Sequence, residues 1–186
     1  MKKVIIIAII LFGFSHAASA QDWTISTNAI MWADFGSINI DVSKTFAQHF
    51  SAHVGGRYNP WYFKRGTEDQ FQNRKRGAWL GLRYWPWYAN SGWFIQAKAQ
   101  WQEYNYYLPG LTPVKEEGDR FGGVLGGGYA LMVNEHFNIE FGLGVFAGTT
   151  IYNEDLLPEK GRRITQNAQK FFVLPDELSV NFVFVF

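Results

Sequence analysis

The side chains that could do chemistry are few, and one group of them matches the residue types of a hydrolase. Ser51 and His53 are two residues apart, so on a strand they share a face, and a turn near Phe46–Ala47 would place Asp41 opposite His53. Serine, histidine and aspartate make up the nucleophilic triad of many hydrolases, but a triad is defined by geometry and not by residue types. A simple Asp41–His53 charge pair explains the same residues, so we expect no catalytic residues.

A glycine-rich run at residues 122–128 is the second candidate, because glycine loops bind phosphates. The run lacks the Lys-Ser/Thr pair that completes such a loop, and it lies inside a strand pattern. Small residues there leave room for bulky neighbours or let a sheet bend. The chain has no cysteine, which excludes disulfides and thiolate metal sites. We therefore expect no cofactor and no metal.

The elements that position these side chains are predicted to be strands. Apolar and polar residues alternate in eight segments, and helical spacing fits none of them well: 23–31, 38–43, 50–59, 78–84, 93–102, 121–132, 137–145 and 178–186. In the segment 93–102, for example, Trp93 and Ile95 lie on one face and Gln96 and Lys98 on the other. After the first twenty residues, no stretch approaches the ~18 apolar residues of a transmembrane helix.

The links between segments fall into two classes. Residues 45–49, 86–92 and 133–136 form short links, whereas 59–76, 104–120 and 149–170 are well above the usual hairpin loop of about 2–5 residues. The long links carry most of the charge. Alternating short and long links are typical of a transmembrane barrel, whose closed ring leaves no backbone group unpaired in lipid. We predict an all-β fold, an eight-stranded antiparallel up-and-down transmembrane β-barrel.

Aromatic residues make up 18% of the chain and support that prediction. They cluster near the segment ends and would form two belts at the two water–lipid interfaces: Trp32, Phe35, Tyr58, Trp61, Trp101 and Tyr104 at one rim, and Trp23, Trp85, Trp87, Trp93, Tyr129 and Phe137 at the other. The alternative is a soluble eight-stranded barrel of the lipocalin kind, with the aromatic residues turned inward.

The first twenty residues have the features of a cleavable signal peptide: two lysines, an apolar run over residues 4–14 and a closing Ala18-Ser19-Ala20. The run is too short for the alternative, a membrane-anchor helix, and no cysteine follows that could carry a lipid. We predict a signal peptide at 1–20 and a barrel domain at 21–186. Removing two lysines leaves 15 basic and 16 acidic residues, so nothing favours nucleic-acid binding.

The inward positions of the predicted barrel are polar and include charges of both signs. Asp41, His53, Arg57, Arg83, Lys98 and Glu140 form the predicted interior charge network, with Gln96, Gln100 and Asn138 beside it. Eight strands enclose a space that side chains fill, and unpaired charges there would be costly. A plug of paired charges is the favoured interpretation, and a narrow ion path or small-solute site is the alternative.

The closing segment, with Phe182, Phe184 and the terminal Phe186, resembles the last strand of outer-membrane proteins. In that class this strand is the signal read by the barrel-assembly machinery. The layout resembles the small OmpA/OmpX-type barrels. Residues 27–30 (TNAI), 57–61 (RYNPW) and 82–85 (LRYW), with the closing strand, resemble domain of unknown function 3575. That resemblance implies a predicted outer-membrane barrel, in some cases encoded beside fimbrial genes, and brings no catalytic residues.

These expectations favour a non-enzymatic barrel of the Gram-negative envelope, with a structural or surface-interaction role. Its contact candidates in the long links are Tyr104, Tyr106, Tyr107, Arg74, Lys75 and Arg76, which would meet an extracellular or fimbrial partner. Equally, the tyrosines would sit at the membrane interface and the basic residues would meet lipopolysaccharide. A porin-like narrow pore, a solute-binding barrel and a lipid-modifying hydrolase are the alternatives.

Overall fold

The computed structural model describes residues 22–63, 71–107, 114–156, 162–175 and 178–186, and these are almost entirely antiparallel strand. The elements in chain order are β1 (Trp23–Asn28), α1 (Ala29–Ala33), β2 (Ile38–Ala47), β3 (Phe50–Asn59), β4 (Tyr62–Phe63), β5 (Phe71–Tyr84), β6 (Gly92–Tyr107), β7 (Val114–Asn134), β8 (Phe137–Leu156), β9 (Arg162–Pro175) and β10 (Ser179–Val185). The predicted signal peptide lies outside the described residues.

Eight of the strands form a closed ring. Neighbouring strands in the ring pair antiparallel in the order β1, β2, β3, β5, β6, β7, β8. β10 closes the ring by pairing with both β8 and β1. The two-residue β4 pairs with β5, and β9 pairs with the second half of β8. The prediction of an all-β, antiparallel fold with eight strands in the ring is confirmed.

Most polar side chains of the ring point inward, and most of its large apolar side chains point outward. Gln96, Lys98 and Gln100 on β6 are buried, whereas Ile95, which precedes them, is 62% exposed. The same alternation runs through β2, β3, β8 and β10, as the sequence predicted. The ring therefore has a polar interior and an apolar outer face, the reverse of a water-soluble domain.

The first predicted segment is wrong beyond Asn28, where β1 ends. The Asn28 side chain accepts a hydrogen bond from the Ile30 backbone N–H at 2.9 Å and begins α1, so Ala29 and Met31 lie in a helix and not on a strand. Asparagine is a favoured N-cap residue because its side chain replaces a missing backbone partner. No helix among the described residues is long and apolar enough to cross a membrane.

The three long links were also predicted wrongly, because most of their described residues are strand. β5 begins at Phe71, β6 continues to Tyr107, β7 begins at Val114, and β8 and β9 extend the sheet to Leu156 and Arg162. These extensions carry polar and charged residues on both faces, so apolar alternation does not reveal them. Cross-strand pairs hold them instead. The parts of the links at 64–70, 108–113 and 157–161 lie outside the described residues.

The ring is consequently taller on one side. Strands β2 and β3 have 10 residues each, whereas β7 has 21 and β8 has 20. At ~3.3 Å per residue the long strands exceed the short ones by roughly 35 Å along the strand direction. The sheet of β5 to β9 thus projects beyond the rim that the first three strands reach.

Candidate functional site

The interior of the ring holds the candidate site, and its first component is the Asp41–His53 pair. His53 Nδ1 lies 2.9 Å from Asp41 Oδ2, and both residues are buried. The predicted register is wrong, because His53 lies opposite Ser43 and Asp41 opposite Gly55. The turn falls at Gln48–His49, with a register shift between Thr45 and Ala47, so the two side chains meet diagonally.

The structure does not assemble a Ser-His-Asp triad. The Ser51 hydroxyl accepts a hydrogen bond from Trp85 Nε1 at 3.0 Å. His53 Nε2, the atom that would take the serine proton, is buried and makes no hydrogen bond to any described residue. His53 and Asp41 therefore form a hydrogen-bonded pair that is not linked to the Ser51 hydroxyl.

A second ion pair lies deeper in the interior, between β5 and β8. Arg83 Nη1 donates to Glu140 Oε2 at 3.2 Å, and Arg83 Nε donates to Gln96 Oε1 at 3.2 Å. The two charged side chains are 7% and 1% exposed. Glu140 is fully enclosed, and Arg83 supplies its counter-charge, so removing either side chain leaves the other buried without its partner.

Of the remaining predicted members of the network, Lys98 lies in the charged cluster and Arg57 lies outside it. The Lys98 ammonium lies 4.9 Å from the centre of the Trp79 ring, and Trp79 Nε1 in turn donates to Asp41. Lys98 is therefore part of the same cluster. Arg57 lies apart and donates through Nη2 to Gln102 Oε1 at 2.6 Å, so it belongs to the polar layer next to the cluster.

Three aromatic residues in the interior were missed by the sequence reasoning. Trp79, Trp85 and Tyr104 are 7%, 0% and 1% exposed, although we expected Trp85 and Tyr104 in the interfacial belts. Their positions in the sequence could have predicted this inward orientation. Trp79 and Trp85 are separated from Arg83 by even numbers of residues, as Tyr104 is from Lys98, so period-two alternation points all three inward.

Apolar clusters lie on both sides of the charged cluster. Trp85, Phe94 and Ala130 pack together at one end. Val124, Phe146 and Phe172 form the other apolar cluster, with Phe146 and Phe172 ring centres 4.7 Å apart. Along β8 the inward residues run Glu140, Phe146, Thr150, which places the second cluster between the ion pair and the projecting sheet.

The charged cluster borders a small cavity. This cavity has about 30 Å³ open to water-sized molecules, enough for one or two waters. Its walls are all from the ring and α1: Ser26, Thr27, Asn28, Met31, Asn39, Asp41, His53, Trp79, Arg83, Gln96, Lys98, Ser179 and Asn181. Among the described residues no group of three or more His, Asp or Glu could hold a metal ion.

A third cluster lies beyond the apolar one, where β6, β7 and β9 project. Tyr104 and Tyr106 donate to the two oxygens of Glu116 at 2.6 and 2.9 Å. Burial raises the pKa of the Glu116 carboxyl, but the tyrosine hydrogen bonds and the Lys170 ammonium outweigh it and hold that pKa below its usual value. Burial and the Glu116 charge raise the pKa of Tyr106 to about 12.

The predicted loop contacts lie on strands, so their placement in loops was wrong. Arg74, Lys75 and Arg76 are on β5, and Tyr104, Tyr106 and Tyr107 are on β6. Tyr104 and Tyr107 are buried. Lys75 forms an ion pair with Asp34 at 2.8 Å, and Arg76 forms one with Glu103. Arg74 and Arg76 are the exposed basic residues of the set, whereas Lys75 is half-buried.

The terminal residues close the ring. The Phe186 N–H donates to the Trp23 carbonyl at 3.0 Å, and Trp23 returns a hydrogen bond of 3.4 Å. Phe182, Phe184 and Phe186 are 36%, 48% and 49% exposed and lie on the outer face, as predicted. Their use as an assembly signal stays a prediction.

Comparison with known proteins gives one match. A family model described as "Protein of unknown function (DUF3575)" matches residues 5–186, which is nearly the whole chain. No curated protein and no solved structure matches. The likeness to OmpA/OmpX-type barrels therefore rests on the strand number and layout alone.

Proposed function

The chain belongs to the DUF3575 family of proteins of unknown function, and since that family assigns no activity, we propose a function from the side chains. The protein is a non-enzymatic outer-membrane β-barrel of the Gram-negative envelope, with a filled interior and a structural or surface-interaction role. Its partners are outer-membrane lipid and lipopolysaccharide, the barrel-assembly machinery and an extracellular or fimbrial protein.

The observation that carries this proposal is the outer face of the ring. Large apolar side chains there are more than half exposed, including Leu80 at 64%, Leu125 at 69% and Leu143 at 65%. Burying such a side chain gains ~1.5–3 kcal/mol, and the ring carries many of them. Lipid is the environment that covers them all.

The dimensions of the ring support the same environment. A strand of 10 residues, such as β2 or β3, is ~33 Å long and spans ~25 Å at the ~40° tilt common in such barrels. That is the height of the apolar band of an outer-membrane barrel, ~25 Å. The soluble lipocalin-like alternative needs the opposite polarity, with apolar residues inside and polar residues outside.

The contents of the interior support a role other than catalysis. The candidate nucleophile Ser51 is bonded to Trp85, and the cavity beside His53 holds no more than one or two waters. A lipid hydrolase needs a nucleophile within reach of its base. The apolar cluster Val124, Phe146 and Phe172 stands against the narrow-pore alternative, because such side chains dewet a constriction.

Cell fractionation tests the location. We expect the mature protein in the outer-membrane fraction, extracted only by detergent, and we expect its unboiled form to migrate faster on a gel than the boiled form. The matched control is Leu80→Asp with Leu143→Asp, which puts two charges on the outer face and should lower membrane recovery. Recovery of the native protein as a soluble periplasmic monomer without detergent would contradict the proposal.

A further inference from the structure

Arg120 on β7 is a cation of the interior that has no counter-charge among the described residues. Its side chain faces the inside of the ring, because its register neighbours Gln102 on β6 and Thr150 on β8 are 3% and 0% exposed and share its face. Arg120 is half-buried, no described carboxylate forms an ion pair with it, and its Nε is buried without a hydrogen-bond acceptor in the described part of the chain. Taking a cation out of water without an anionic partner is costly, so this position favours a bound anion.

Aromatic rings hold the Arg120 guanidinium in place. Its central carbon, Cζ, lies 3.9 Å from the centre of the Tyr104 ring and 5.8 Å from the centre of the Phe172 ring. Arginine contacts aromatic rings through its flat face, which leaves the N–H groups at its edge for acceptors in the guanidinium plane. Such an edge matches two oxygens of a single oxyanion, which it binds through two parallel hydrogen bonds.

Glu116 lies on the same face of β7 as Arg120, but other groups occupy its carboxylate. Tyr104 donates to one Glu116 oxygen and Tyr106 to the other, and the Lys170 ammonium lies 3.5 Å from the first. The Tyr106 hydroxyl also interacts with Arg120, but it offers the guanidinium a neutral oxygen because its proton is directed to Glu116. The charge of Glu116 is therefore matched by Lys170, and that of Arg120 is not matched by Glu116.

The side chains level with Arg120 are hydrogen-bond donors. The register places four residues side by side on β6 to β9: Gln102, Arg120, Thr150 and Lys170. Arg57 donates to Gln102 Oε1, so the amide nitrogen of Gln102 remains as a donor. No member of this row is acidic. A phosphate group, with three or more acceptor oxygens, uses several donors of such a row, whereas a carboxylate has two oxygens.

The position of Arg120 in the ring determines from which side an anion reaches it. Arg120 is half-buried and the Lys170 side chain is 45% exposed, so water contacts both at the end of the interior that the projecting sheet borders. Towards the middle of the ring lies the apolar cluster of Val124, Phe146 and Phe172, where an anion is not stable. A ligand at Arg120 therefore comes from the water on the side of the projecting sheet and goes no deeper.

We propose that Arg120 is the centre of a phosphate-binding site at this end of the interior, which takes the phosphate group of a water-soluble ligand. The edge of the guanidinium donates to two phosphate oxygens, and the Gln102 amide donates to a third. The strands separate this site from the outer face of the ring, so the headgroup of a surrounding lipid is not its ligand. The site is independent of the proposed membrane location, because it depends only on side chains inside the ring.

Nuclear magnetic resonance of the arginine side chains tests the site in the native protein. The full-length protein, isotope-labelled at arginine and folded in detergent micelles, is titrated with inorganic phosphate at constant ionic strength. We expect the Nε–H signal of Arg120, identified by its absence from Arg120→Lys, to move saturably. Glycerol phosphate is the second probe, and tighter binding of this ester assigns the site to an organic phosphate. No saturable shift with either probe, or the same shift with chloride, overturns the proposal.

Variants measured by isothermal titration calorimetry locate the binding. Arg120→Gln should weaken phosphate about tenfold or more, and Arg120→Lys should weaken it as well, because an ammonium lacks the two-pronged edge of a guanidinium. The matched control is Arg74→Gln, an equal charge change at an exposed arginine on β5, which should leave the affinity within about twofold. Unchanged near-ultraviolet circular dichroism verifies the folding of each variant. Native affinity in Arg120→Gln or Arg120→Lys, or an equal loss in Arg74→Gln, overturns the site and leaves the membrane location intact.

Discussion

At the scale of residues, the buried charged side chains of the interior contact other side chains in place of water. Lys98 lies over Trp79, His53 bonds Asp41, and Arg83 reaches Glu140 across the ring. A charge taken out of water is tolerated when a partner and further hydrogen bonds satisfy it. The first two contacts join neighbouring strands, β5 with β6 and β2 with β3, whereas Arg83 and Glu140 join β5 and β8, which are not neighbours in the ring.

The Arg83–Glu140 pair gives the first prediction of this scale. We expect Arg83→Met and Glu140→Gln each to lower the free energy of unfolding by about 3–5 kcal/mol, because each leaves its partner buried without a counter-charge. Since both changes remove one interaction, the double variant should lose less than the sum. Urea titration of the refolded protein measures all three, with the outward Leu143→Ala as a control that shows no such coupling. Strictly additive losses would contradict the pairing.

Glu116 gives a prediction for pH, and it lies on β7 beyond the apolar band, which ends there near Phe121. Its pKa in the folded protein is lower than the ordinary 4.5, owing to the balance of burial against the Tyr104 and Tyr106 hydrogen bonds. A lowered pKa means that the carboxylate stabilises the fold fully above pH 4.5 and that this stabilisation is lost as the pH falls through the lower, folded value.

The comparison with Glu116→Gln tests this sign. The native protein should melt at a higher temperature than the variant at pH 7, and the difference should shrink steadily below pH 4.5. Glu135→Gln, in the exposed turn between β7 and β8, serves as the control and should show no comparable trend. A difference that grows at low pH would mean that the carboxylate is not held in its charged form.

At the scale of elements, the glycine-rich part of β7 determines how closely its neighbours approach. A Cβ atom built at Gly128 would collide with the Phe141 carbonyl oxygen and lie 2.7 Å from Phe94 Cζ. At Gly123 the nearest atom would be the Lys98 carbonyl oxygen at 3.9 Å, an ordinary contact. The run first considered as a phosphate loop is therefore a stretch of strand in which some glycines are required for packing and others are not.

This difference predicts opposite results for two identical substitutions. Gly128→Ala should destabilise the ring, by about 1–3 kcal/mol as is typical of overpacking, because a backbone oxygen cannot move aside. Gly123→Ala should leave stability within about 0.5 kcal/mol, the usual range for a surface change. Urea titration of both variants decides the matter. Similar losses at the two positions would refute the packing role assigned to Gly128.

At the scale of the whole molecule, three interior layers fill the ring. The charged cluster lies between the apolar cluster of Trp85, Phe94 and Ala130 and that of Val124, Phe146 and Phe172. A continuous water path would have to pass both apolar layers. This arrangement explains why charges of both signs in the interior do not by themselves amount to a channel.

Planar-bilayer recording tests the filled interior. The native protein should give no steady conductance, because water does not wet the apolar layers. Replacing Phe146 and Phe172 together by alanine should produce intermittent openings, whereas the outward pair Phe171→Ala and Val173→Ala should not. Steady channels from the native protein would favour the narrow-pore alternative.

The sequence alone determined the number of strands in the ring, the alternation of inward and outward faces, and the charged residues of the interior. Period-two alternation is a local property, so the inward positions of Asp41, Arg83, Lys98 and Glu140 follow from residue order. Even the buried Trp85 follows the same parity, although its size suggested an interface. The match to the DUF3575 family, expected from short motifs, was likewise available from residue order.

Only the tertiary structure decided which side chains meet and where strands end. Asp41 and His53 pair diagonally because a register shift at Thr45–Ala47 moves the hairpin, and alternation does not specify register across a turn. The projecting ends of β5 to β9 carry polar and charged residues on both faces, so their strands depend on cross-strand partners that no single segment reveals. In the same way, β9 pairs with β8 alone among the described strands, because Asn28 caps α1 and thereby ends β1.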